Sequence, residues 1–171
     1  TVADDGGGSG VLREDLGMLP PGDIRSCILA LADDESIMQK LLNHRFTEGR
    51  LNGQSFGNLF IAAMNAISDN FAEAIKNVSD VMAVKGTVLP VTLDDITLTA
   101  ELVNGEIVNG ESAIPETVKK VGSKIKMVKT NPDKVCALPY CLKAIEEADI
   151  IILGPGSLYT SIIPDLLVED I

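Results

Sequence analysis

Two adjacent carboxylates, Asp4 and Asp5, follow the short apolar stretch Thr1-Val2-Ala3 and run straight into Gly6-Gly7-Gly8-Ser9-Gly10. Carboxylates at the carboxyl end of a strand sit where open α/β sheets bind their ligands. There they can accept sugar hydroxyls, hold Mg²⁺, or act as a base. The glycines permit positive φ and let backbone amides approach a ligand closely. A flexible acidic turn explains the same residues without a ligand. The loop is not a Walker A loop, because no Gly-Lys-[Ser/Thr] follows it.

A second constellation is Asp149-Ile150-Ile151-Ile152-Leu153-Gly154-Pro155-Gly156-Ser157-Leu158-Tyr159-Thr160-Ser161. An apolar strand delivers a glycine turn, and hydroxyl residues then stand at a helix start. A helix amino end exposes unpaired N–H groups and carries about half a positive charge. Ser157, Thr160 and Ser161 add hydroxyl donors, so a phosphate seat forms here without lysine. The plainer reading is a capped helix after a tight turn. A third, Asn52-Gly53-Gln54-Ser55-Phe56-Gly57-Asn58, opens a long helix and can present Ser55 or Asn58 to a ligand, or merely cap it. In Pro20-Pro21-Gly22-Asp23-Ile24-Arg25, Arg25 can pair with phosphate or form a surface ion pair. The single histidine, His44, stands late in a helix, where a dipole role or simple exposure suits it. No nucleophile, base and orienting group come together.

The elements that must position these residues alternate between helical and extended patterns. Helices are expected from about 24 to 31, with Asp23 as N-cap, and about 35 to 45, with Asp33-Asp34-Glu35 at the surface or helix start. Residues 4–10 and 46–57 read as glycine-rich loops. A helix over about 57–78 carries the stripe Leu59, Phe60, Ala62, Ala63, Ala66 and Ile67, with a break near Asp69-Asn70. Strands are expected at 81–84 and 87–91, the latter ending at Pro90. Residues 96–102 alternate, and Asn104-Gly105 before Glu106-Ile107-Val108 signals a β-hairpin. A short strand at 125–128 and a helix at 141–148 follow. Ile150-Ile151-Ile152-Leu153 reads as a strand buried on both faces. The class is α/β, with a Rossmann-like, mostly parallel sheet flanked by helices and a β-hairpin insertion near 96–108.

The 171 residues fit a single domain, 1–171, and 46% hydrophobic content suffices for a core. With 14 basic against 25 acidic residues the net charge is −11, which disfavours nucleic acid and anionic membranes as partners. No apolar run approaches the roughly 20 residues a membrane span needs. Cys27, Cys136 and Cys141 suggest neither disulfides nor zinc and fit a reducing compartment, so a cytoplasmic protein is expected. Cys136 and Cys141 read as partly buried apolar groups. The chain opens on Thr1 and ends within a helical pattern, so a fragment is expected that lacks an N-terminal strand and the C-terminal end.

Thr1–Gly7, Leu19–Arg25, Ser55-Phe56-Gly57-Asn58 and Gly154–Ser161, in that order, together resemble the gluconeogenesis factor (YvcK-type) family, related to 2-phospho-L-lactate transferase of the CofD type. The resemblance implies a Rossmann-like fold and binding of a UDP-sugar such as UDP-N-acetylglucosamine. It implies control of carbon flow between gluconeogenesis and cell-wall precursors, and of cell shape. Carried over, Asp4 and Asp5 would meet sugar or Mg²⁺. Ser9, Arg25, Asn58 and Ser157 would contact ligand, and Gly154, Gly156, Thr160 and Ser161 would seat the phosphate. Three positions depart from the family pattern: Gly8 stands for serine, Val11 for arginine and Gln54 for histidine. A Gly-Gly-Gly-Thr-Gly loop is expected ahead of Thr1.

The combined reading is a nucleotide-sugar-binding regulator with no catalytic residue and no required cofactor. The alternative is a Mg²⁺-dependent transferase of a phosphate-linked group, with Asp4 and Asp5 at its centre. A protein–protein module with an acidic working face is a third class. Homo-oligomers and a protein partner in cell-wall metabolism stay open.

Overall fold

The computed structural model describes residues 3–32 and 37–171. The expected strand end at Thr1-Val2 and the Asp33-Asp34-Glu35 run lie outside them. The chain groups into two compact units: Gly6–Leu89, and Thr1–Asp5 with Pro90–Ile171.

The Gly6–Leu89 unit is helical. It holds α1 (Gly7–Leu16), α2 (Gly22–Leu31), α3 (Ile37–Asn43), α4 (Phe56–Ile67) and α5 (Phe71–Val81), with a 3₁₀ turn at Gly49–Leu51. Ile28, Leu42, Ile61, Ile75 and Val78 form its buried centre. Each such aliphatic side chain contributes about 1.5–3 kcal/mol by leaving water. The break between α4 and α5 falls at the expected place and has a clear cause. Asn70 caps α5 by accepting the Glu73 N–H at 3.0 Å, while Glu73 reaches back to the Asp69 N–H at 2.7 Å. This reciprocal arrangement starts a helix, so the chain must turn there.

Two expectations in this unit are corrected. Residues 7–10 are not loop but the first turns of α1, despite a glycine cost of about 1 kcal/mol each relative to alanine. The strands expected at 81–84 and 87–91 do not form. Val81 ends α5 and Val84 makes only an isolated bridge with Ala32.

The other unit is built on a three-stranded antiparallel sheet, in order β2–β1–β3: β1 (Thr97–Leu102), β2 (Ile107–Asn109) and β3 (Ile125–Asn131). Leu98, Ala100 and Leu102 alternate inward on β1 against Val108, Val128 and Ile114. The hairpin turns at Asn104-Gly105, where Gly105 has φ +87° and Asn104 Oδ1 accepts the Glu106 N–H at 3.2 Å. Helix α6 (Ala113–Val121), which the sequence reading left unassigned, links β2 to β3, and α7 (Pro139–Glu146) follows. A π-helical turn at Leu158–Ile162 leads into α8 (Ile163–Leu166).

The α/β class is thus observed, but the sheet among the described residues is antiparallel. Its hairpin stands where the insertion was expected. The buried strand expected at Ile150–Leu153 is corrected too: these residues are 78%, 61%, 83% and 64% exposed. Among the described residues no strand pairs with them.

Candidate functional site

The candidate residues fall on both units. In the sheet-bearing unit, Asp5 is half-buried and both its carboxylate oxygens are engaged. Oδ2 accepts the Glu111 N–H at 2.9 Å and Oδ1 accepts the Ser112 N–H at 2.8 Å. These amides lead into α6, where a carboxylate complements the positive end of the helix dipole. The approach requires glycine at 110. Its φ is +96°, and a Cβ there would lie 2.9 Å from Asp5 Oδ2. Asp5 therefore ties the chain's start to the β2–α6 turn.

Asp4 is half-buried next to it. Among the described residues no three His, Cys, Asp or Glu side chains gather to hold a metal ion. Two carboxylates, one with both oxygens committed to backbone amides, do not suit Mg²⁺, which demands near-ideal octahedral oxygen ligation. The described residues do not fit a chain-held magnesium ion.

The same unit carries the Gly154–Ser161 turn. Gly154 has φ +111°, and a Cβ on Gly156 (φ +154°) would lie 2.8 Å from Ser161 Cβ. Only glycine lets the turn close this tightly over Ser161. Ser157 O accepts both the Ser161 N–H at 2.9 Å and the Ile162 N–H at 3.0 Å, which closes the π-helical turn. As at any helix start, the preceding amides have no intrahelical acceptor. Thr160 is buried, Ser161 half-buried and Ser157 exposed.

In the helical unit Ser9, Arg25 and Asn58 stand in the leading turns of α1, α2 and α4. Ser55 is the N-cap of α4, and its Oγ accepts the Asn58 N–H at 3.1 Å. The Phe56 N–H goes to His44 O at 2.8 Å and the Leu59 N–H to Ser55 O at 3.2 Å. Gly57 lets α2 approach: a Cβ there would lie 2.6 Å from both Arg25 Cδ and Leu42 O. Arg25 is half-buried and Ser9 is buried. His44 is exposed just beyond α3, its ring edge-on to Phe46 at 5.1 Å.

Gln54 is the residue the sequence reading passed over as a site. It is 9% exposed and Asn58 is 4% exposed. Among the described residues, neither Gln54 Oε1 nor Asn58 Oδ1 has a hydrogen-bond partner. A Cβ on Gly8 would lie 2.7 Å from Gln54 Oε1 and 3.6 Å from Asn58 Nδ2. Two of the departures from the family pattern, Gly8 and Gln54, are thus in contact. The glycine in α1 makes room for the amide. The sequence signal was available: a polar residue directly before an N-cap on a helix with an apolar stripe.

The cysteines do not form a site. Cys136 is exposed, against expectation, and Cys27 is exposed as well. Cys141 is buried and donates to Pro90 O at 3.0 Å. Burial pushes its thiol pKa up, and burial followed by the Cys141 charge pushes Tyr140 up. Among the described residues no helix is long and apolar enough to cross a membrane.

Residues 1–171 match the family described as 2-phospho-L-lactate transferase CofD. The chain is 63% identical, over all of its length and 53% of the relative's, to a Thermoanaerobacterium thermosulfurigenes protein named "Putative gluconeogenesis factor". It is 49% identical, over all of its length and 53% of the relative's, to the Bacillus subtilis protein named "Gluconeogenesis factor". A crystal structure of a UPF0052-family protein from Bacillus halodurans superposes with TM-score 0.91 at 48% identity, covering 98% of this chain and 53% of that one. The chain spans about half the length of these relatives.

Proposed function

The chain belongs to the 2-phospho-L-lactate transferase CofD family, and from that premise we propose that it binds a nucleotide sugar of the UDP-N-acetylglucosamine type as part of a gluconeogenesis-related regulator. The regulated step is the flow of carbon between gluconeogenesis and cell-wall precursors, with cell shape as its outcome. The names of the similar Thermoanaerobacterium and Bacillus proteins support the metabolic assignment.

The observation that carries the ligand class is the turn at Gly154–Ser157 opening the helical segment from Leu158. Its glycines keep the backbone bare where amides at a helix start can meet an anion. Ser157, Thr160 and Ser161 supply hydroxyl donors beside it. Asp5 spends both oxygens on backbone amides, and Asp4, half-buried beside it, is the carboxylate proposed to meet a sugar hydroxyl. Binding, not bond breaking, is what this set of residues performs.

A thermal-shift series with UDP-N-acetylglucosamine, UDP and GDP plus Mg²⁺ tests the reading. A ligand at about 100 times its Kd adds roughly 2.7 kcal/mol to stability. A shift with the UDP-sugar and none with GDP is expected. The family's own description names a transferase, so product formation is the second assay. A shift confined to GDP with Mg²⁺, accompanied by turnover, replaces the regulator with that enzyme.

A further inference from the structure

We propose that Ile150–Leu153 is a docking strand, and that its partner is the sheet-forming polypeptide that the relatives carry outside the half this chain matches. The four residues are 61–83% exposed. The uncovered surface is continuous. Every residue from Lys143 to Tyr159 is exposed, and α7 buries only Cys141. A contiguous exposed apolar stretch marks a surface that another polypeptide covers. The backbone carries the same message. Among the described residues no hydrogen bond joins the main chain of 150–153 to any other group. Unpaired N–H and C=O groups beside apolar side chains are a template for strand addition.

The pattern of the run selects the occupant. In an extended strand successive side chains point to opposite faces, so Ile150 and Ile152 share one face and Ile151 and Leu153 the other. Both faces are apolar, the composition of a strand inside a sheet rather than at its rim. Such a strand needs neighbours along both edges and apolar layers above and below. A second copy that pairs run to run meets one edge and leaves the other edge and both faces open. A polypeptide of domain size supplies all four sides. The relatives carry one on the same chain. The matched region is 53% of the Thermoanaerobacterium and Bacillus subtilis proteins and 53% of the Bacillus halodurans chain, so about half of each lies outside it. No charged residue stands between Asp149 and Asp165, so apolar contact and strand pairing, not ion pairs, hold the partner.

Hydrogen exchange read by mass spectrometry tests the proposal on the 171-residue chain and on the full-length Thermoanaerobacterium relative. In the 171-residue chain the amides of 150–153 are expected to exchange as in an unstructured peptide, while the paired amides of β1 are protected. In the relative the aligned segment is expected to exchange at least about 100-fold more slowly, as paired sheet amides do. Ile152→Lys is expected to leave the urea midpoint of the 171-residue chain unchanged, since the side chain it replaces is 83% exposed.

Slow exchange of 150–153 in the 171-residue chain overturns the proposal, whether the cover is the chain itself or a second copy. A lowered midpoint for Ile152→Lys does the same. Fast exchange of the aligned segment in the relative overturns it too, as does protection there that is lost on dilution, which assigns the run to a second copy. If β1 of the 171-residue chain is itself unprotected, the relative's segment and its response to dilution decide.

Discussion

Asp5 and Gln54 stand in contrast. Asp5 is the residue whose type announces chemistry, a carboxylate next to another at a glycine-rich turn. Yet each of its oxygens accepts a backbone N–H, from Glu111 and Ser112. Gln54 carries no charge and belongs to no familiar catalytic pattern. Yet it is buried, and its carbonyl oxygen has no partner among the described residues. The lesson is that residue type marks what a side chain can do, while hydrogen-bond satisfaction marks what it is still available to do. A satisfied carboxylate holds structure together. An unsatisfied amide costs the folded state about 1–3 kcal/mol and calls for a compensating role.

The sharpest way to break this contrast is to delete Asp5. In Asp5→Ala the Glu111 and Ser112 amides lose a charged acceptor, and hydrogen bonds to charged groups are worth about 1.5–3 kcal/mol each. Asp5 is only half-buried and Ser112 is exposed, so water replaces part of the loss. A net cost of about 2–3 kcal/mol is expected as a lower urea midpoint at unchanged slope. A cost below about 0.5 kcal/mol would return Asp5 to the pool of ligand-binding candidates.

A smaller effect comes from the other side of the comparison. In Gly8→Ala the new methyl meets Gln54 Oε1 at 2.7 Å, the far end of a flexible side chain. Alanine also gains about 1 kcal/mol over glycine within α1. The two effects nearly cancel, so the single substitution is expected to be close to neutral. In a Gln54→Ala background the clash is gone and only the gain remains. The double-mutant cycle is expected to return a coupling of about 1 kcal/mol. Strict additivity would show that Gly8 and Gln54 are not in contact in solution.

Legibility in the sequence followed the range of the interactions involved. The β1–β2 hairpin was readable because alternation and Asn104-Gly105 act within about a dozen residues. The α4–α5 break was readable because Asp69, Asn70 and Glu73 settle it locally. The helical state of Gly7–Gly10 was not, because glycine's local propensity opposes it; the approach of Gly8 to Gln54 and Asn58 joins residues more than 40 apart in sequence. Ile150–Leu153 shows the same limit from the opposite side. Four apolar residues predict a covered strand, but covering requires partners that a local pattern does not name. For the site, the turns at Gly6–Gly10, Ser55–Asn58 and Gly154–Ser161 were legible as glycine and cap signals. Which polar groups within them remain unsatisfied was not, since that depends on contacts between helices.

Cys141 lies between the two extremes of the comparison, buried like Gln54 but with one weak partner, Pro90 O at 3.0 Å. Burial raises its pKa, so the folded state disfavours the thiolate. Below the ordinary thiol value of about 8.5 both folded and unfolded chains hold the proton, and stability is at its full value. Above it the unfolded chain releases the proton first, so it binds fewer protons than the native state and stability falls as pH rises. Tyr140, raised by burial and then by the Cys141 charge, adds a loss of the same sign at higher pH. Urea midpoints measured from about pH 7.5 to 9.5 are expected to decline across the thiol range. Cys141→Ala is expected to lower the midpoint uniformly through the lost volume while flattening the decline. A decline that persists unchanged in the variant would assign the alkaline loss to groups other than this thiol.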